Sequence, residues 1–147
     1  MNEIHFSTNS VEWSTPEWFF EKLDEEFHFT LDPCATDENH KCEKYYTEKQ
    51  DGLAQDWGGE TVFCNPPYGK KLTEKWVKKC AEEAQKARTT VVLLMPARTD
   101  TKAFHEYLYN KENVELRFVR GRLKFGEKNQ RAPFPSLVAV IRNKTDK

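Results

Sequence analysis

TVFCNPPYGKKLTEKWVKKCAEEAQKARTTVVLLMP, residues 61–96, holds two apolar runs separated by a stiff turn and an amphipathic segment. Thr61 to Cys64 reads as a buried strand running directly into Asn65-Pro66-Pro67-Tyr68-Gly69, whose paired prolines can continue neither a central strand nor a helix. Thr73 can cap a helix reaching about Arg88, with Trp76, Val77, Cys80, Ala81 and Ala84 on one face and solvated lysines and glutamates on the other. Val91 to Met95 is the most apolar run of the chain. It stops at Pro96, as a strand covered on both faces of a parallel sheet would. Strand, helix, strand in this order indicates an α/β protein.

Working outward, Ser14-Thr15-Pro16-Glu17 joins hydroxyl caps, a first-turn proline and a glutamate in capping-box position, so a helix to about Glu26 is expected. Trp18 or Phe19, Leu23 and Phe27 would form its apolar stripe. His28 to Leu31 is a short β-prone run halted at Asp32-Pro33, which leaves a carboxylate at a strand's carboxyl end. Ala35 to Trp57 is polar and resists assignment, apart from a turn at Asp51-Gly52. Beyond Pro96, Asp100 or Thr101 starts a helix to about Asn110. Glu115 to Val119 and Ser136 to Ile141 read as strands, an antiparallel terminal hairpin at the sheet edge.

The 147 residues fit one compact domain, residues 1–147, without a second core. A net charge of −1 excludes bulk electrostatic binding of nucleic acid, so any such contact is local. Neither a leader pattern nor a stretch of roughly 18 apolar residues is present, and a cytoplasmic protein with no membrane partner is expected. Cys34, Cys42, Cys64 and Cys80 lack CxxC spacing. A Cys34/His40/Cys42 cluster is the one metal arrangement left open, inert thiols are the preferred reading, and no metal is expected. His5, His28, His40 and His105 show neither metal nor triad spacing.

The chemistry concentrates in the proline turn. The side-chain oxygen of Asn65 and the carbonyl of Pro66 are two acceptors that could engage both hydrogens of an aromatic amine and expose its lone pair. Pro66 and Pro67 fix the geometry beforehand, and Tyr68 offers a face on which an extruded base could stack. Asp32, Asn65 and Pro96 are all expected outside the carboxyl ends of strands, where α/β sheets bind ligands.

CNPPYG at 64–69 looks like the catalytic motif of amino-methyltransferases. Together with WSTPEW at 13–18, LDPCAT at 31–36, Asp51-Gly52-Leu53, Asp56-Trp57, LLMPARTDT, GRLKFG and APFPS, it makes the chain resemble the phage-type DNA N-6-adenine methyltransferase (Dam) family from about Trp13 to Ile141. The resemblance implies a Rossmann-like S-adenosylmethionine-dependent methyltransferase fold, α/β with a mostly parallel sheet. It also implies methylation of a flipped adenine in double-stranded DNA, in the cytoplasm of a bacterial host of a phage or prophage. The implied catalytic residues are Asn65, Pro66, Pro67 and Tyr68. For S-adenosylmethionine they are Thr15, Pro16, Asp32, Cys34, Ala35, Asp51, Leu53 and Asn65, with Asp56 as a further candidate. One departure stands out: the glycine-rich turn of larger methyltransferases is replaced by Asp32-Pro33-Cys34-Ala35-Thr36.

Between Arg117 and Arg131, the cations Arg117, Arg120, Arg122, Lys124, Lys128 and Arg131 face only Glu127, a local excess suited to DNA phosphates. Phe125 and Phe134 flank it as possible wedges. Two other readings share these features: an amino-methyltransferase acting on cytosine N4, RNA or protein glutamine, and a catalytically silent DNA-binding protein of the same fold.

Overall fold

The computed structural model describes residues 14–125, 130–132 and 134–144, with Lys70, Phe125, Gln130 and Arg131 placed by their backbone alone. The two apolar runs of residues 61–96 form β1 (Thr61–Cys64) and β2 (Thr90–Pro96), paired in parallel from Thr61↔Thr90 to Cys64↔Leu93. Between them lies α2 (Lys70–Glu83), and before them α1 (Glu17–Phe27). Downstream come β3 (Val114–Phe118), the two-residue strands β4 (Lys124–Phe125) and β5 (Gln130–Arg131), and β6 (Ser136–Ile141). The main sheet has the order β1-β2-β6-β3, while β4 and β5 pair separately.

The expectation of a mostly parallel sheet is corrected by the pairing. Only β1 and β2 form a parallel ladder; β6 is antiparallel to both β2 and β3. It follows that β1, β2 and β3 run one way and β6 alone opposes them. The apolar run of β2 signalled burial on both faces, which layers above and below the sheet supply whatever the direction of the neighbouring strand. The terminal pair forms at the sheet edge as expected: β3 and β6 are antiparallel and are the last two strands in the order. All six residues of β6 are buried, since it lies between β2 and β3, and β3 supplies the rim on that side.

His28 to Leu31 is reduced to single contacts alongside β1. Leu31 bridges Val62 and Asp32 bridges Tyr45, both in parallel, and the amides of Thr30 and Phe63 bond to the carbonyls of Thr61 and Leu31. The strand-like path survives, and it delivers Asp32 to the same end of the sheet as Asn65.

Alternation along β1, β2 and β6 splits the core into two layers. Val62, Cys64, Val91, Leu93 and Leu137 face α2, which contributes Trp76, Val77 and Cys80, with Ala84 at its C-terminal cap. Phe63, Val92, Leu94, Val138 and Val140 face Phe20 and Leu23 of α1. The stripe of α1 is therefore set by Phe20, not by Trp18, which is 58% exposed. Phe20 packs on Phe63 at 5.1 Å and on Phe29 at 5.5 Å, a burial worth roughly 1.5–3 kcal/mol.

The helix starts also differ from expectation. Pro16 occupies the cap of α1 with no side-chain bond, so the Ser14 to Glu17 capping box does not form. Helix α2 begins three residues before Thr73, at a Gly69 cap whose φ of 146° favours glycine. Thr73 instead donates its hydroxyl to the Pro67 carbonyl at 3.3 Å, tying the first turn to the proline loop. The helix expected after Asp100 forms as a short one: helical at 102–103, it continues with π geometry over Phe104–Leu108 and closes with Tyr109 N–H on the Phe104 carbonyl. Among the described residues, no helix is long and apolar enough to cross a membrane.

Candidate active site

The proline turn leaves β1 at the end where Asp32 and Pro96 also emerge. Pro66 is buried and anchors the turn, whereas Asn65, Pro67 and Tyr68 are half-buried and Gly69 is exposed. The Asn65 amide is held from both sides. Its nitrogen donates to the Thr15 hydroxyl at 2.9 Å, and its oxygen accepts from the Tyr68 hydroxyl at 3.1 Å. The Tyr68 bond orients this group, and a carboxamide oxygen can accept more than one hydrogen bond. Burial, with a smaller contribution from Cys34, pushes the Tyr68 phenol above its ordinary range. Tyr68 thus stays a donor at any physiological pH.

Asp32 is 5% exposed and takes its hydrogen bonds from main chain alone: Oδ1 accepts from Cys34 N–H at 3.2 Å and Oδ2 from Lys41 N–H at 2.9 Å. Burial nevertheless outweighs these bonds and the charges of Lys41 and His40, and raises the carboxyl above the usual range. Burial likewise pushes the Cys34 thiol up, with Asp32 adding to it, and drives Cys42 to about 12. Both are inert thiols rather than nucleophiles. His40 stacks on Tyr45 at 3.9 Å, and its Nδ1 lies 2.8 Å from the Cys42 carbonyl oxygen. Among the described residues no three His, Cys, Asp or Glu groups converge as a metal site would require.

Of the remaining donor-site candidates, Ala35, Asp51 and Leu53 lie on segments tied to Asp32-Pro33, and Thr15 is tied to Asn65. Ala35 N–H donates to the Tyr46 carbonyl at 3.0 Å, and Pro16 caps α1 directly after the buried Thr15. Asp51 takes a left-handed φ of 58° and accepts from Leu53 N–H, opening a 3-10 turn over Gly52–Ala54. That turn presses on the Asp32-Pro33 bend so closely that a Cβ at Gly52 would lie 2.1 Å from the Pro33 carbonyl oxygen, which only glycine permits. The Trp57 indole N–H holds the Gly52 carbonyl at 3.0 Å. Leu53 and Cys34, both partly buried, pack against one core layer. Asp56 is not part of this grouping: it is exposed and paired with Lys86 at 2.7 Å.

The basic segment divides. Arg120, Arg122 and Lys124 are exposed and form no ion pair among the described residues. Arg131 is placed by its backbone opposite Lys124 in the small hairpin, and Lys128 lies outside the described residues. Arg117 is corrected from the phosphate-facing set. Its guanidinium grips both Glu26 oxygens at 2.7 Å and Glu115 at 2.7 Å, so its charge is spent on fastening β3 to α1. Phe134 is no wedge either, being 7% exposed and packed edge-on against Tyr68 at 5.3 Å. Sequence reading missed Arg98, whose guanidinium carbon lies 5.8 Å from the Phe134 ring centroid. The signal was present in the LLMPARTDT stretch, which places a cation two residues past β2.

By fold and site, the chain is a mixed α/β protein whose polar groups converge at one end of its sheet, around an oriented carboxamide. It belongs to the DNA N-6-adenine-methyltransferase (Dam) family, which it matches over residues 6–145. It is 32% identical over 104 residues to the DNA N-6-adenine-methyltransferase of Escherichia phage T1, covering 69% of this chain and 42% of that protein. It is also 36% identical over 64 residues to the putative methyltransferase YfdM of Escherichia coli strain K12, covering 39% of this chain and 70% of that protein. The chain thus spans less than half the length of its phage T1 relative.

Proposed function

We propose that this chain transfers a methyl group from S-adenosylmethionine to the exocyclic amine of an adenine extruded from double-stranded DNA. The observation that carries the reading is the Asn65 carboxamide, fixed between Thr15 and Tyr68 on a proline-stiffened turn that remains half-exposed. The adenine amine is a poor nucleophile because its lone pair is delocalised into the ring. Asn65 Oδ1 and the Pro66 carbonyl accept from its two N–H groups and localise that pair. Tyr68 keeps the Asn65 oxygen aimed, and its ring supports the extruded base, a stacking contact worth about 1–3 kcal/mol. Pro66 and Pro67 hold the acceptors in place before the amine arrives.

The residues around Asp32 fit a cationic sulfonium nucleoside. The carboxylate there is buried without a cationic side chain bonded to it, and a positively charged ligand would relieve its burial. Asp32 with Thr15, Pro16, Cys34 and Ala35 would hold the amino-acid end, and Asp51 and Leu53 the nucleoside. S-adenosylmethionine, when bound, supplies an electrophilic methyl group. The sheet, three strands one way and one reversed strand inserted, is read as the Rossmann-like frame for this pocket. Arg120, Arg122, Lys124, Lys128 and Arg131 are assigned to DNA phosphates.

The test is Asn65→Ala, assayed by tritium transfer from labelled donor to DNA and by calorimetry of donor binding. Transfer should vanish while donor affinity changes little. Wild-type turnover in that variant would remove Asn65 from the mechanism and, with it, this function.

A further inference from the structure

We propose that Arg98 is a DNA-phosphate anchor at the rim of the Asn65 site, holding the backbone beside the extruded nucleotide; the proposal rests on the methyl-transfer reading above. Arg98 follows β2 by two residues, at the end of the sheet where Asp32 and Asn65 emerge. Its main chain is pinned. The amide donates to the Pro96 carbonyl at 2.8 Å, the preceding Ala97 N–H bonds to Pro135, and the Arg98 carbonyl accepts from the Thr101 hydroxyl at 3.0 Å.

The side chain is placed as well. The guanidinium sits over Phe134, Phe134 meets Tyr68 edge-on, and Tyr68 bonds Asn65, so two aromatic rings connect the cation to the carboxamide. A cation–π contact steadies a guanidinium without using its N–H groups. Among the described residues no carboxylate pairs with Arg98, in contrast to Arg117, held by Glu26 and Glu115, and Arg142, held by Glu115. Arg98 is exposed, and a guanidinium is a planar fork of donors that matches the oxygens of a phosphodiester. Swinging a nucleotide out of a duplex brings its flanking phosphates to the mouth of the pocket that receives the base. A cation already immobilised there gives up little side-chain entropy when it engages them.

The experiment measures binding of fluorescent DNA duplexes of two unrelated sequences by anisotropy, across about 50–200 mM salt. The proteins are the wild type, Arg98→Ala, Arg98→Gln, Arg98→Lys and Arg88→Ala. Arg88 is an exposed arginine two residues before β2, so its removal makes the same charge change at the opposite end of the sheet. Arg98→Ala and Arg98→Gln should weaken both duplexes alike, roughly tenfold at low salt, and reduce the slope of log affinity against log salt by about one. Arg98→Lys should keep the slope, and Arg88→Ala should match the wild type. An unchanged slope in both neutral variants overturns the proposal, as does an equal loss in Arg88→Ala or a loss confined to one sequence. Wild-type protein that shows the Arg98-dependent slope yet transfers no methyl group would uphold the anchor and overturn the methyl-transfer reading. Methyl transfer with a slope indifferent to Arg98 would do the reverse.

Discussion

Asp32 and Glu83 occupy opposite ends of the sheet, and both carboxylates are buried, 5% and 6% exposed. Glu83 is enclosed by the chain's own donors: Trp57 N–H at 2.7 Å, Lys86 Nζ at 2.8 Å and Lys79 Nζ at 3.2 Å. Burial alone would raise its carboxyl, but the Lys86, Trp57 and Lys79 bonds together carry it below the ordinary range. Asp32 receives two main-chain amides and no side-chain cation, and burial prevails. One acid is thus neutralised within the fold and serves the fold. The other has no side-chain cation bonded to it, at the end of the sheet where ligands of α/β proteins bind, and the proposed function assigns it a cation from outside.

The sharpest break in this comparison is Glu83→Ala. It strips the Trp57 amide and Lys79 of their partner while Lys79 remains over the Trp57 ring at 5.4 Å. Losing one side of a buried pair costs about 3–5 kcal/mol, and a loss toward the lower figure is expected because Lys86 is 44% exposed and can turn to water. The measurement is the urea midpoint at neutral pH. The sign with pH follows from the depressed carboxyl. Stability from Glu83 is full above its ordinary value and is lost as pH falls through the folded one, so the gap between variant and wild type should close on acidification. A gap independent of pH would mean that packing, rather than charge, sets the role of Glu83.

Asp32→Asn should reverse the pattern. Stability at neutral pH should move by less than about 1 kcal/mol, because relief of the buried charge offsets the bond lost where the new NH2 meets one of the two main-chain N–H groups. With its carboxyl raised in the fold, Asp32 contributes a stability term that falls as pH climbs from the ordinary value through the folded one. The variant should therefore gain on the wild type over that interval. Affinity for S-adenosylmethionine, read by calorimetry, should drop by roughly tenfold or more as a charge-assisted contact is lost. Undiminished affinity would return Asp32 to the role of a turn acid that merely caps Cys34 and Lys41.

How much of this could be read beforehand follows the range of the interactions involved. Residues 61–96 were legible because strand alternation and helical spacing are local, and the Asn65 turn because proline restricts its own backbone. Within α1 the choice of Phe20 over its neighbours was not local. Successive positions differ by about 100° around a helix, and Phe29 and Phe63 on the opposing layer decide which ring is buried. Residues 35–57 resisted reading for the same reason. Trp57, wholly buried, owes its place to Gly52 behind it and to Glu83 twenty-six positions ahead. The basic stretch after Arg117 looked uniform, yet a partner 91 positions away in α1 claims Arg117 and leaves Arg120 and Arg122 exposed. The place of β6 beside β2 was hidden because an apolar run records burial and not which strands lie alongside.

Ser136 supplies the smallest and cleanest extension of the contrast between the two acids. It begins β6 opposite Pro96 and is 1% exposed, and its hydroxyl has no hydrogen-bond partner among the described residues. Its carbonyl accepts from Val119 N–H, a bond that any side chain preserves. Where Glu83 is fully answered and Asp32 partly so, this hydroxyl is answered by nothing on the described chain, and it carries no charge to make the omission expensive. Removing an unpaired buried hydroxyl relieves its desolvation, a term of about 1–3 kcal/mol, offset by the small void that remains. Ser136→Ala should therefore be neutral or stabilising by up to about 1 kcal/mol in a denaturant midpoint, with donor affinity unchanged. A loss of that size instead would show that the hydroxyl bonds within the fold, and a loss of donor affinity alone would extend the ligand site from Asp32 and Asn65 along the same end of the sheet to β6.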